Sequence, residues 1–241
     1  MTLSGAIPIG ADSTAAPRWP LVTADWTAVR NSRQPAATAA YAAAKRALDV
    51  VVAASLILLL LPLLLLIGVA IALESGWPVF YVGQRVGRHG QLFQVVKFRS
   101  MRAGCDQAPH EAFVRSLLRG TACSVYKVPD DRRVTRLGAF LRRLSLDELP
   151  QLWNVLRDEM SLVGPRPDVP YVVAEYAEWI RPRLQVKPGI TGLWQVNGRS
   201  RLSLLDMYRL DIAYVARASL LLDLQILVRT VPVVLSCDGA A

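Results

Sequence analysis

From Val50 to Leu73 the chain runs 24 residues without a charge, interrupted only by Ser55, Pro62 and Gly68. A segment this apolar needs an environment without water on nearly every face, so it constrains the fold more than any other feature. As a straight helix it is about 36 Å long, enough for a hydrocarbon core of roughly 30 Å. Pro62 stands at its centre and lacks the N–H that would bond the Leu58 carbonyl. Each half is then about 16–18 Å long and reaches only about mid-bilayer. Lys45 and Arg46 precede the run, while Arg85, Arg88, Lys97, Arg99 and Arg102 follow it. Basic residues favour the cytoplasmic side, so a helix–break–helix hairpin satisfies both flanks where a spanning helix satisfies one. The expectation is a re-entrant membrane-embedded helix over residues 41–75; the alternative is a single-span anchor.

Composition favours a lipid-facing protein with anionic partners. Hydrophobic residues make up 53% of the 241 and the net charge is +9. Such a balance suits nucleic acid, phosphorylated metabolites or acidic lipid headgroups. Cys105, Cys123 and Cys237 form no CxxC pair and leave one thiol over in any disulfide scheme, which points to a reducing cytoplasm. With only His89 and His110 present, the composition argues against a histidine-based metal centre or triad. Residues 1–40, rich in Ala, Pro, Thr and Ser, read as a disordered tail rather than a signal peptide. A catalytic domain is expected over residues 76–236, with a short tail at 237–241.

Within that domain, Pro78–Val82 and Leu92–Phe98 read as strands of a hairpin, with Gly83, Gly87 and Gly90 between them. From Arg132 to Leu144 apolar residues recur at helical spacing with arginines between them, as in a basic amphipathic helix that lies at a membrane surface or covers a core. Leu220–Leu235 is apolar but carries Asp223, Arg229 and Pro232, so it should pack or lie at the interface rather than span. The fold class expected is α+β and helix-dominated: a re-entrant membrane helix hairpin, a short β-hairpin and interfacial amphipathic helices.

The candidate chemistry centres on Ser145-Leu146-Asp147-Glu148. This has the spacing of a capping box, with Ser145 as N-cap and Glu148 three residues on. Pro150 disturbs that reading, and the helix can instead begin near Pro150. Either start places Asp147 near a helix N-terminus, where a lowered pKa would make it available as nucleophile or magnesium ligand. Gly164-Pro165-Arg166-Pro167 holds an arginine between two φ-restricted prolines, which suits bidentate phosphate binding or a plain surface turn. Lys97-Phe98-Arg99-Ser100-Met101-Arg102 gathers three cations at the end of a strand, close to the apolar segment. The loop from Lys187 to Arg199 offers Thr191, Gln195, Asn197 and one aromatic, Trp194, to a nucleotide, although glycine and asparagine alone signal only turns. No Walker or dinucleotide motif is present.

Taken in order, Lys45-Arg46 with Asp49, Lys97-Phe98-Arg99-Ser100-Met101, Ser145 through Gln151, Ser161 through Pro167 and Pro188-Gly189-Ile190-Thr191-Gly192 resemble the bacterial sugar transferases. These are the monotopic polyprenol-phosphate phosphoglycosyl transferases, and the likeness runs from about Lys45 to about Val234. The resemblance implies a re-entrant helix, with Lys45, Arg46, Asp49 and Pro62 in its membrane-anchoring part. It also implies a catalytic domain on the cytoplasmic face of the bacterial inner membrane. The activity implied is transfer of a sugar phosphate from a UDP-sugar to polyprenyl phosphate, with Mg2+ as cofactor, at the start of exopolysaccharide or other surface-glycan assembly. Asp147 matches the family's nucleophile and magnesium ligand, and Glu148 its acidic partner. Lys97, Arg99, Arg142 and Arg166 match basic positions around phosphates, and Thr191 and Gln195 join them as substrate-binding candidates. The partners implied are the two substrates and an anionic bilayer, with no nucleic acid. Association as a homo-oligomer is left open. One departure is visible: the family commonly places serine before the helix-breaking proline, and here that residue is Leu61.

Overall fold

The computed structural model describes residues 39–102 and 133–236. Of the tail expected over 1–40, residues 1–38 lie outside the described residues, as do 237–241, Cys105, Cys123, His110 and Arg132, while Ala39 and Ala40 already belong to the first helix. Helix α1 (Ala39–Ser75) is 37 residues long and contains Pro62. Among the described residues it is the one helix long and apolar enough to cross a membrane. The expected break at Pro62 is not a loop, because the residues on both sides remain helical. Leucine is a strong helix former, and a backbone without water keeps its hydrogen bonds by staying helical. A change of direction at such a proline is then a bend within one helix. Leu58, Leu59, Leu65, Leu66 and Leu73 are exposed, whereas Asp49, Ala53, Ile67 and Ile71 are buried against the rest of the chain.

Polar bonds fasten both ends of α1. At its foot the buried Asp49 carboxylate accepts from Ser161 Oγ at 3.1 Å and the Leu162 N–H at 3.0 Å. Arg46 donates to the carbonyls of Val155 (2.6 Å) and Leu156 (2.9 Å), capping the end of α3 (Gln151–Leu156). Lys45 pairs at 3.0 Å with Asp223, which also accepts from Tyr41 and Tyr214. At the other end Glu74 accepts from the Leu137 N–H, and Arg99 donates to the Ser75 carbonyl. Lys45, Arg46 and Asp49 therefore bind the domain itself, and Pro62 lies exposed between the two fastenings.

The expected hairpin is present as β1 (Phe80–Val86) and β2 (Leu92–Phe98), antiparallel with Phe80 opposite Phe98. The first strand lies later than the expected Pro78–Val82, because Gly83 pairs with Val95 inside the ladder instead of opening the turn. Gly90 supplies the left-handed turn residue, at φ +79°. A second, parallel pair joins β3 (Ser161–Val163) to β4 (Gly189–Thr191). Three-residue strands carry too few positions for a period-two pattern, so sequence gave no sign of them. The helix expected from Arg132 begins instead as α2 (Arg136–Arg143), because Val134 forms a bridge with Met101 and Thr135 caps the first turn. Gly138 lets α2 rest on β2's exit, since a Cβ there would meet Ser100 O at 2.1 Å. After the short α4 (Pro170–Ala174), α5 (Leu204–Arg217) and α6 (Leu220–Leu235) start at serine caps Ser203 and Ser219. Leu152, Val155, Leu162, Leu193, Tyr214 and Ile226 form the main core, and Ala53 of α1 joins it. On α6, Leu221, Leu224, Val228, Val231 and Leu235 make an exposed apolar stripe at helical spacing.

Asp49→Ala strands the buried Leu162 N–H. It should cost about 2–3 kcal/mol of stability, read as an earlier thermal transition of the detergent-solubilised protein, with Leu61→Ala on the exposed face as the near-neutral comparison.

Candidate active site

Ser145 adopts the left-handed conformation (φ +56°) and makes no capping bond; its Oγ accepts from Arg199 Nη2 at 2.8 Å. Leu146–Glu148 is one 3-10 turn, and α3 starts after Pro150. The capping box is thus replaced by the alternative start at Pro150. Glu148 cannot reach back to the Ser145 N–H because both its oxygens are engaged elsewhere. Arg166 grips it in bidentate fashion at 3.0 and 2.5 Å, and Lys97 Nζ donates to Oε1 at 3.1 Å.

The two neighbouring carboxylates consequently differ. Burial pushes the Glu148 pKa up, but Arg166 and Lys97 outweigh it and hold the carboxyl well below its usual range. Lys97 is lowered by burial, with Glu148 opposing the shift. Asp147, 8% exposed, makes no hydrogen bond or ion pair with the described residues. Its pKa is raised, first by burial and then by the Glu148 charge, against the pull of Lys97, Arg142 and Arg166. The lowered pKa expected from a helix N-terminus is therefore corrected: a single 3-10 turn offers little dipole, and loss of water dominates.

All eight expected catalytic and substrate-binding residues line one cleft of about 890 Å³. Lys97 and Arg99 come from β2 and its exit, and Arg142 from α2, where its Nε donates to Ser100 Oγ at 2.8 Å. Arg166 comes from the proline-flanked loop after β3. Thr191 Oγ1 lies 2.8 Å from Thr230 Oγ1, and Gln195 Nε2 donates to the Ile190 carbonyl, leaving its buried Oε1 without a partner. Lys45, Arg46, Asp49 and Pro62 do not reach the cleft.

Sequence reasoning missed two supporting groups. Arg199, at φ +50°, ties the loop ending at residue 199 to the Ser145 turn; its position at the close of a Gly/Asn-rich loop was the only signal. Arg183 is buried behind Arg166 and donates to the Arg166 carbonyl (2.8 Å), Asp168 (2.8 Å) and Asp211 (2.9 Å). Tyr176 and Tyr208 complete this cluster through their hydroxyls on Asp168. Nothing local marks Arg183, since its partners lie up to 28 residues away.

Among the described residues no group of three or more His, Cys, Asp or Glu gathers, so no all-protein metal cage is built. Among the described residues, Asp147 alone offers the cleft a carboxylate without an ion-pair partner. Magnesium commonly takes one or two carboxylates and completes its shell with phosphate oxygens and water, so this donor set fits it through Asp147.

The family model described as bacterial sugar transferase matches residues 40–237. The chain belongs to the bacterial sugar transferase family. It is 44% identical over 197 residues to the UDP-galactose-lipid carrier transferase of Erwinia amylovora, covering 81% of this chain and 41% of that protein. Identity is 40% over 197 residues to the exopolysaccharide production protein ExoY of Sinorhizobium fredii, with 81% and 87% covered. It is 43% over 205 residues to the UDP-glucose:undecaprenyl-phosphate glucose-1-phosphate transferase of Caulobacter vibrioides, with 81% and 71% covered. The chain spans about two fifths of the length of the first relatives it matches. For this family member the cleft sets one ionised, paired carboxylate beside a second that makes no ion pair with the described residues and feels Lys97, Arg142 and Arg166.

Because Glu148 has a lowered pKa, its clamp stabilises the fold above the ordinary carboxylate value of 4.5 and is lost as pH falls below it. Glu148→Gln should therefore lower the melting temperature most at neutral pH. The gap from wild type should shrink as thermal scans move from pH 7 toward pH 3.

Proposed function

We propose that this chain transfers a sugar-1-phosphate from a UDP-sugar to a polyprenyl phosphate, through a covalent phospho-sugar intermediate on Asp147, to begin a surface polysaccharide. The observation that carries the reading is the asymmetry of the acid pair: Glu148 organises Arg166 and Lys97, while Asp147 stays unpaired and buried beside the same cations. A carboxylate that is mostly buried and holds no hydrogen bond to the described residues is a stronger nucleophile than a fully solvated one. An Asp147 oxygen attacks the β-phosphorus, a new P–O bond forms, and the bond to the UMP oxygen breaks. UMP leaves with that electron pair, and an acyl phosphate carrying the sugar remains. An oxygen of the lipid phosphate then attacks the same phosphorus. The bond to Asp147 breaks, which releases polyprenyl-diphosphate-sugar and restores the carboxylate. Arg142 and the Lys97–Arg166 pair stabilise charge on the transferring oxygens. Magnesium held by Asp147 and the diphosphate would lower the repulsion between two anions.

Relatives named for UDP-galactose, undecaprenyl phosphate and glucose-1-phosphate support this substrate class without choosing the sugar. A second reading of the same site has the lipid phosphate attack directly, with Asp147 as metal ligand only. The unpaired carboxylate favours the covalent route. With UDP-sugar and no acceptor, wild type should release about one equivalent of UMP and carry a phospho-sugar adduct detectable by mass spectrometry. Asp147→Asn should do neither. UMP release by that variant at near wild-type rates sinks the covalent route.

We place the catalytic domain on the cytoplasmic face, with α1 entering and leaving one leaflet. From Arg46 to Ser75 is 29 residues, about 44 Å if straight. Yet both ends are tied to adjacent parts of one domain. Arg46 holds Val155, the neighbouring Asn154 bonds Val96 of β2, and Arg99, three residues on, holds Ser75. That proximity supports a bend at Pro62. Single cysteines at Ala43 and Trp77, in a chain cleared of its own cysteines, should both react with an impermeant maleimide from the cytoplasmic side of oriented vesicles. Labelling from opposite sides means a spanning helix.

A further inference from the structure

We propose that Arg99 receives the phosphate of the lipid acceptor, so that the cleft divides its cations between two substrates. This rests on the transferase reading and assigns one part of its site. Arg99 is 6% exposed and lines the cleft at the exit of β2. Its Nη2 donates to the Ser75 carbonyl (2.8 Å), Ser75 Oγ (2.8 Å) and the Gly76 carbonyl (2.5 Å). Its Nε and Nη1 are buried and have no hydrogen-bond partner. No carboxylate among the described residues pairs with it: Lys97 and Arg166 share Glu148, whereas Arg99 faces only carbonyl and hydroxyl oxygens. A buried cation with unmet donors is costly, and such groups concentrate where a ligand completes them. A phosphate monoester supplies both the missing charge and the missing acceptors.

Position selects the lipid phosphate over the nucleotide diphosphate. The nitrogen that Arg99 does use holds the last carbonyls of the apolar helix. Next to that end stand Trp77, 80% exposed, with Phe80, Tyr81 and Val82 also exposed, a cluster suited to the bilayer interface. Pro78, Phe80, Tyr81 and Val82 also line the cleft, so a prenyl chain leaving a phosphate on Arg99 meets apolar surface directly. Polar groups suited to a nucleotide come from elsewhere: Thr191 ends β4, and Gln195 and Arg199 lie on the loop that follows it. Arg99 is fixed to the end of α1, so the headgroup is received at the height where the helix ends.

The test is equilibrium binding to the full chain in mixed micelles without UDP-sugar, comparing undecaprenyl phosphate, uncharged undecaprenol and inorganic phosphate. Wild type should bind the lipid phosphate about tenfold or more tighter than undecaprenol. Arg99→Lys should erase most of that difference. Arg99→Gln, whose amide can still donate to the Ser75 carbonyl, repeats the measurement without the charge and guards against loss of fold in the first variant. A difference that survives in the folded variants overturns the assignment. Competition by inorganic phosphate at equal strength would also overturn it, since the site would then hold free phosphate rather than the lipid's. In turnover, Arg99→Lys should raise KM for undecaprenyl phosphate about tenfold while KM for the UDP-sugar moves less than about threefold. An equal rise in both places Arg99 on the donor instead. If wild type shows the binding difference but releases no UMP from any UDP-sugar, the transferase reading fails while the phosphate site stands.

Discussion

The Glu148 carboxylate, held between Arg166 and Lys97, is the interaction on which the rest of the site depends. It joins three pieces of chain that are distant in sequence: the end of β2, the 3-10 turn before α3 and the proline-flanked loop after β3. Lys97 and Glu148 are largely out of water while Arg166 is about one third exposed, so removing one partner strands the others at a cost that solvent screening at Arg166 reduces. Geometry narrows further behind Arg166. The buried Arg183 holds the Arg166 carbonyl and is itself matched by Asp168 and Asp211. Burial pushes Asp211 up to about 7, with Arg183 opposing, so that this carboxylate depends on its arginine to stay charged. The loop is therefore fixed at its backbone by one arginine while it offers another to the cleft.

The foot of α1 follows a related rule with different partners. Asp49, Arg46 and Lys45 spend their charges on a strand N–H, on helix-end carbonyls and on the buried Asp223. A helix with so much exposed leucine has little directional preference of its own, because its apolar faces are alike. Buried polar bonds supply the direction. Asp223 is matched by two tyrosines and a lysine, and Tyr214 also donates to the Val163 carbonyl beside the active-site loop. Helix docking and loop placement thus share a residue.

The apolar run and α6 were legible as long apolar stretches, and the hairpin as two β-prone runs separated by glycines, although its first strand lies later than expected. Periodicity is a local signal, and it failed where structure is short or depends on distant partners. β3 and β4 are three residues each and exist because Gly164 and Gly189 allow close backbone approach, with a Cβ at Gly189 meeting the Gly164 N at 2.1 Å. The eight cleft residues were found through ordered motifs, not through any contact visible in the sequence. Arg183 was missed because an arginine between a proline and a leucine has no pattern, and burial alone gives it meaning. The capping box misled for a physical reason: its spacing was right, but Glu148 binds two cations more strongly than it would bind one backbone N–H.

The corrected pKa of Asp147 sharpens what the clamp accomplishes. Were Asp147 in a helix N-terminus with lowered pKa, it would be ionised but well stabilised, and a stabilised carboxylate is a poor nucleophile. Burial and the adjacent Glu148 instead raise the energy of its charged form, while Lys97, Arg142 and Arg166 keep that form within reach. Glu148 takes the strongest bonds of Arg166 and Lys97, which prevents either from pairing with Asp147 and quenching it. On the proposed covalent route, two adjacent acids serve one attack, the first held in reserve by the second. That division of labour accounts for the pair more fully than two equivalent ligands would, because equivalent acids would share the cations and leave neither free.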